Sequence, residues 1–344
     1  MGTPCQLVFQ NDTSEQNIIV NIRVATSSLS FLGSLFVIIT IWLFKKHVVF
    51  AQRLILYLGF AALLSSTAYI LGRINYNSQG SSAERSFCRF QGFILLYTDW
   101  ALLLNFSCVT FNLFWNTICN KKTEHFEIPY LLISYLLPSV IACIPFINDS
   151  FGPSGAWCWI KQKNNDSHCS GHRTGRILAF VLWYIPLYVI LITMLITYVI
   201  VFCAVRRKIN SWQGTFDPVV EQQKVHLRHQ IRPLIWYPII YLCVITIPTI
   251  NRIYDIVHDD DVFALWILHV IFSPLAGAFV AITYGVERDT FQRYRWSNIK
   301  ASLRSKFAKD TTTEYPVHVE DVRDDNDLVI SDNENDTNLT KPLM

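Results

Sequence analysis

Charge is what this sequence has least of. Only 16% of its 344 residues are Asp, Glu, Lys or Arg, while 51% are hydrophobic. Ordinary soluble domains carry roughly a quarter charged residues, so the chain has too little charge to cover a water-facing surface. Other absences narrow the function. There is no Cys-x-x-Cys pair and no Cys/His cluster at zinc spacing, which argues against a structural metal site. His-Glu-x-x-His, the P-loop and Gly-x-Ser-x-Gly are all missing, so the common signatures of metalloproteases, nucleotidases and serine hydrolases do not apply. Neither catalysis, a cofactor nor a nucleic-acid partner is expected. The opening MGTPCQLVFQNDTSEQN has no basic start and no apolar core, so no cleaved leader is expected. Gln6 also breaks the myristoylation pattern at Gly2.

What the chain does have is long apolar runs. A bilayer-crossing helix needs about 20 mostly apolar residues, and seven stretches qualify: Val24–Phe44, Leu54–Ile74, Phe90–Trp115, Ile128–Ile147, Ile177–Ala204, Pro233–Tyr254 and Val262–Val286. They are apolar all round, where a soluble helix of that length would show a polar face. The expected fold is an all-α bundle of seven transmembrane helices over 24–286, in a multi-pass plasma-membrane protein. Lys and Arg concentrate in alternate connections: Lys45, Lys46 and Arg53, then Lys121 and Lys122, then Arg206, Arg207, Lys208, Lys224, Arg228 and Arg232. The positive-inside rule puts those loops in the cytoplasm and residues 1–23 outside. The sequons at Asn11, Asn148 and Asn165 then fall on the outer side and are candidate glycosylation sites. Residues 287–309 place Phe291, Ile299, Leu303 and Phe307 on one helical face among basic residues, the pattern of a helix on an anionic lipid surface. Residues 310–344 are acidic and polar and are expected to be disordered.

The segment Gly155–Ile160, GAWCWI, sits in a loop followed by KQKNNDSHCSGH, an odd place for two tryptophans and a cysteine. Cys5, Cys88, Cys158 and Cys169 are the disulfide candidates, since they stand in polar segments on the oxidising side. A Cys88–Cys158 bond would pin the loop over the mouth of the bundle, with Trp157 and Trp159 flanking the pin. Cys108, Cys119, Cys143, Cys203 and Cys243 fall in or beside apolar runs and read as small core residues.

Charged groups at membrane depth are costly and tend to mark function. Asp99 follows Cys88 by eleven residues, about 16 Å along a helix. Asn105, Asn112 and Asn116 recur below it as a candidate polar seam. Arg73, Asn251, Arg252 and Asp255 cluster at outer helix ends. Asp99, Arg73, Asn251, Arg252, Asp255, Trp157 and Trp159 are therefore the candidate ligand-binding residues. Arg73 and Arg252 have a competing reading, in which they snorkel to the interface. His269 reads as a hydrogen-bonded core histidine. Prolines recur within the spans, including Pro138, Pro186, Pro238, Pro248 and Pro274; each deletes a backbone bond and is tolerated where a neighbour satisfies the freed carbonyl.

The chain resembles the G-protein-coupled receptors, and more closely the cyclic-AMP-receptor-like family of slime moulds with its related plant receptor-like protein. The resemblance rests on SSLSFLGS (Ser27–Ser34), WCWI (Trp157–Ile160), WYPII (Trp236–Ile240) with TINRIYDIV (Thr249–Val257), and AITYG (Ala281–Gly285). It spans roughly residues 20–300. It implies a receptor that binds a small extracellular ligand, cyclic AMP or another anionic molecule, and activates a heterotrimeric G protein. Lys121, Lys122, Arg206, Arg207, Lys224 and Arg228 are then the candidate G-protein contacts. One departure stands out: the Asp-Arg-Tyr end of the third helix in rhodopsin-like receptors is here FNLFWNTICNKK, without arginine. A secretin- or adhesion-like receptor without its large ectodomain, or a transporter, are the competing readings. No repeat links the two halves, which disfavours a transporter. The last span has no lysine for a retinal Schiff base.

Overall fold

The computed structural model describes residues 13–76, 82–119, 121, 123–161, 173–211, 239–242, 244–255, 258, 262–285 and 300. Among the described residues, six helices are long and apolar enough to cross a bilayer. We number them α1 (Thr13–Leu43), α2 (Phe50–Tyr76), α3 (Ser82–Ile118), α4 (Glu124–Phe146), α5 (Arg173–Arg207, continuing to Ser211) and α7 (Phe263–Gly285). Between α5 and α7, residues 239–242 and 244–255 are also helical, and we call this segment α6. The expected surface helix and acidic tail lie outside the described residues, apart from Lys300.

Helices begin well before the apolar runs that reveal them. α1 starts at Thr13 rather than Val24, and α3 at Ser82 rather than Phe90. Hydropathy marks the stretch that suits lipid, whereas backbone bonding carries a helix on into polar turns.

The interior of α1 reverses the usual pattern. Its fully buried positions include Arg23, Ser27, Ser30, Ser34, Val37, Thr40 and Ile41, while Leu29, Leu32, Ile39 and Trp42 are exposed. Spacings of three and four put the buried set on one stripe. Small side chains there let α7 come close, as membrane helices do in the absence of a hydrophobic drive between them. A Cβ on Gly277 would lie 2.0 Å from Ser34 Oγ and 2.6 Å from the Ser30 carbonyl. The Gly277 N–H donates to Ser30 Oγ at 3.0 Å. SSLSFLGS is thus the α1 side of a close helix crossing.

α3 is the central helix. It packs on α2, α4, α5 and both strands described below, and 72% of its apolar window is enclosed against 11% for α5. Cys108 is buried on it as expected, but Cys143 and Cys203 are exposed on α4 and α5. In an all-apolar span hydropathy does not say which face is inward.

Prolines leave marks that their neighbours repair. Pro186 follows a π turn at Phe180–Tyr184 and cannot bond the Leu182 carbonyl four residues back; Trp100 Nε1 of α3 donates to that carbonyl at 2.9 Å. Pro274 likewise frees the Val270 carbonyl, which accepts from Thr26 Oγ1 of α1 at 3.1 Å. Each repair crosslinks two helices.

Candidate functional site

Between α4 and α5 the chain forms a hairpin, β1 (Phe151–Ser154) and β2 (Trp157–Ile160). The strands pair antiparallel with Phe151 opposite Ile160 and Ser154 opposite Trp157. That register leaves Gly155 and Ala156 as a two-residue turn, in which only Gly155 has positive φ, at 81°. Glycine at the first turn position is the chemistry of the type II′ hairpin. It has a second reason to be there: a Cβ on Gly155 would lie 2.1 Å from Trp266 Cη2.

The hairpin is inserted, not draped. Phe151, Trp157, Cys158, Trp159 and Ile160 are all buried. Cys88 of α3 is bonded to Cys158, with Cα atoms 5.3 Å apart. Gln91, one turn further on, accepts from the Cys158 N–H at 3.4 Å and donates to the Ala68 carbonyl of α2 at 3.2 Å. Gly92 leaves room for Phe151 and the Trp159 backbone. This accounts for the Trp-Cys-Trp in a polar loop: a crosslink and a shaped slot hold it inside the bundle.

Two arginines from different helices grip the tip. Arg252 of α6 donates from Nη2 to the Ser154 carbonyl at 3.2 Å. Arg23 of α1 donates from Nη1 to the Ala156 carbonyl. The Arg252 guanidinium lies 4.9 Å from the Trp266 ring and 5.9 Å from that of Trp157, cation–π distances. Trp157 contacts Tyr69 edge-on at 5.2 Å and His269 at 5.0 Å. His269 stacks on Trp266 at 5.2 Å. Its Nδ1 lies 2.9 Å from Asn251 Nδ2; an amide nitrogen can only donate, so Nδ1 accepts. Asn251 also reaches Asp255 Oδ2 at 3.4 Å.

Asp99 lies deeper on α3. It makes no hydrogen bond or ion pair among the described residues.

Of the sequence candidates, the structure brings Asn251, Arg252, Asp255 and Trp157 together, with Asp99 beneath. Trp159 is buried further along the same strand, its ring 6.2 Å from that of Tyr184 on α5. Arg73 does not join them: its side chain is exposed and donates to Asn21 Oδ1 of α1 at 3.0 Å. Sequence reasoning left out Arg23, which sits just before the expected span. Its place on the same stripe as Ser27, Ser30 and Ser34 was the signal. His269, read as a core histidine, is buried and hydrogen-bonded, but it is packed within the cluster.

At the opposite end of the bundle Arg53 pairs with Glu127 at 3.0 Å, and the Tyr57 hydroxyl donates to the same carboxylate at 2.6 Å. The expected asparagine seam is not continuous. Asn105 donates to its own helix at Ala101, whereas Asn112 accepts from Thr123 and Asn116. Lys121, Arg206 and Arg207 are exposed at this end; Lys122, Lys224 and Arg228 lie outside the described residues. Asn148 is exposed at the hairpin end, and Asn11, Asn165, Cys5 and Cys169 also lie outside.

The sequence profile of the slime mold cyclic AMP receptors matches residues 10–333. The chain belongs to that family. It is 27% identical over 298 residues to G-protein coupled receptor 1 of Arabidopsis thaliana, an alignment covering 82% of this chain and 86% of that one. It is 23% identical over 274 residues to cyclic AMP receptor-like protein A of Dictyostelium discoideum, covering 78% of this chain and 64% of that one. Squid rhodopsin shares the fold, with a TM-score of 0.66, 14% identity, and coverage of 92% of this chain and 97% of the other. At that identity the likeness concerns the fold alone. Family and fold place the chain among the G-protein-coupled receptors, as a multi-pass membrane protein.

Proposed function

We propose that this cyclic AMP receptor family member is a seven-helix plasma-membrane receptor that takes a small anionic ligand at the hairpin end and activates a heterotrimeric G protein at the other. The observation that carries the reading is the family match across residues 10–333. Its relatives' names supply the ligand class, and cyclic AMP is the first candidate. The buried cation Arg252, flanked by Trp157 and Trp266, suits a phosphate attached to a flat ring. Asp99 and Asn251 offer acceptors and donors to the rest of such a molecule. The hairpin end is extracellular in this reading: a disulfide belongs on the oxidising side, and the exposed basic residues Lys121, Arg206 and Arg207 at the other end follow the positive-inside rule. α6 supplies the seventh crossing.

The test is nucleotide exchange on purified G-protein α subunits, with the receptor in lipid nanodiscs and a panel of cyclic nucleotides. Exchange on at least one α subunit should accelerate with ligand. Inertness across a broad panel of α subunits and ligands would sink the reading. The exposed Arg206 and Arg207 should matter to coupling, so an Arg206→Ala/Arg207→Ala double variant should bind ligand normally but activate poorly.

A further inference from the structure

We infer that the first two turns of α5 hold an anionic phospholipid, its headgroup at Arg173 and Arg176 and the upper part of an acyl chain along Ile177 and Phe180. The inference rests on the receptor reading only for calling this leaflet the outer one.

Those four residues line one open cavity of about 550 Å³. Steps of three, four and seven from Arg173 set them on a single stripe of the helix, so the two guanidiniums, one turn apart on one cavity wall, can meet the same headgroup. Arg173 is exposed and Arg176 half-buried. Arg176 also interacts within the protein; the site uses its charge and does not need it free. Further along the stripe Ile177 is 53% and Phe180 39% exposed. Seven residues of helix separate Arg173 from Phe180, about 10 Å of rise, so the stripe passes from headgroup depth to acyl-chain depth. None of the four lining residues is acidic.

That order of charge and apolar surface selects the occupant. α5 is the least enclosed of the six spans, with 11% of its apolar window covered, so this is a lipid-facing helix. A soluble anion would use the arginines and leave Ile177 and Phe180 bare. A lipid without net charge would cover the apolar pair and leave two like charges uncompensated. An anionic phospholipid serves both ends, and its phosphate suits a guanidinium fork. Placement argues the same way: the positive-inside rule disfavours basic residues at the hairpin end, yet two stand here one turn apart. Arginines that merely snorkel would accept the phosphate of any phospholipid. The stripe shares no residue with the hairpin cluster.

The experiment uses the full chain in phosphatidylcholine nanodiscs. The discs carry a trace of phosphatidylglycerol with a photoreactive acyl chain, or photoreactive phosphatidylcholine at the same level, and adducts are mapped by peptide mass spectrometry. The peptide spanning 173–184 should label several-fold more with phosphatidylglycerol. Arg173→Gln should cut that labelling about fivefold, the usual worth of one basic residue at an anionic membrane surface. Adding Arg176→Gln should bring the loss to roughly tenfold or more, whereas Arg173→Lys should keep most of the labelling. Adducts near Arg206 and Arg207 at the other end of α5 should stay constant, and an excess of inorganic phosphate should displace nothing. Equal labelling by the two lipids would reduce the arginines to snorkelling. Labelling unmoved by Arg173→Gln would put the headgroup elsewhere, and displacement by inorganic phosphate would make the ligand a soluble anion; each of these overturns the site. Both leaflets of the disc have one composition and no G protein is present. Silence of every α subunit would therefore defeat the receptor reading and leave this site standing.

Discussion

Asp99 is the residue whose isolation asks most of the protein. A carboxylate placed in the middle of an apolar bundle costs several kcal/mol unless something compensates it, yet among the described residues none bonds or pairs with it. Asp99→Asn keeps the shape and removes the charge. It should shift the ligand concentration for half-activation by about tenfold or more, in either direction, with surface expression retained. An unchanged dose–response curve would take Asp99 out of the site. A second residue-scale test concerns packing: Gly277→Ala forces α1 and α7 apart, because the new methyl meets the Ser30 carbonyl as well as Ser34 Oγ. It should cost about 1–3 kcal/mol, the usual size of overpacking, read as a lower Tm in nanodiscs. Gly285→Ala is the control, since its nearest neighbour is 3.8 Å away, and it should leave Tm within error. Single residues were also where the sequence was least readable. Arg252 and Trp157 stood out as chemistry in unlikely places. Arg23 did not, because a charge at the edge of an apolar run looks like a boundary until the face it shares is considered.

At the scale of elements, hydropathy revealed the helices but not their ends or their inward faces, for the reasons that Thr13 and Cys143 illustrate. The hairpin was harder. WCWI suggested a pinned loop, but insertion of both strands into the bundle depends on Gly92 and Gln91 of α3, which carry no sequence signal of their own. The crosslink is the element's main restraint. Cys88 and Cys158 are separated by 70 residues, and closing a loop of that size stabilises by about 4–5 kcal/mol on chain-entropy grounds. A Cys88→Ser/Cys158→Ser double variant should therefore melt well below the wild type in non-reducing buffer. Dithiothreitol should bring the wild type down to the variant and leave the variant where it is. Equal melting of the two proteins before reduction would mean that the slot, not the bond, holds the strands.

For the molecule as a whole, the consequential quantity is sidedness, because binding at one end matters to signalling only if the two ends face different compartments. The disulfide and the exposed Asn148 sequon lie at the hairpin end, and Lys121, Arg206 and Arg207 lie at the other. Two independent physical rules, one about redox environment and one about charge during insertion, thus favour the same proposed orientation. The number of crossings then decides where the termini go. With α6 as a crossing the count is odd, so an epitope at Met1 should label on intact cells and one at Met344 only after permeabilisation. Asn148→Gln should remove a glycan and speed the band on a gel, since glycosylation happens only on the lumenal side of the insertion membrane. Both termini labelling from one face would make the count even, and α6 could not then be the seventh crossing.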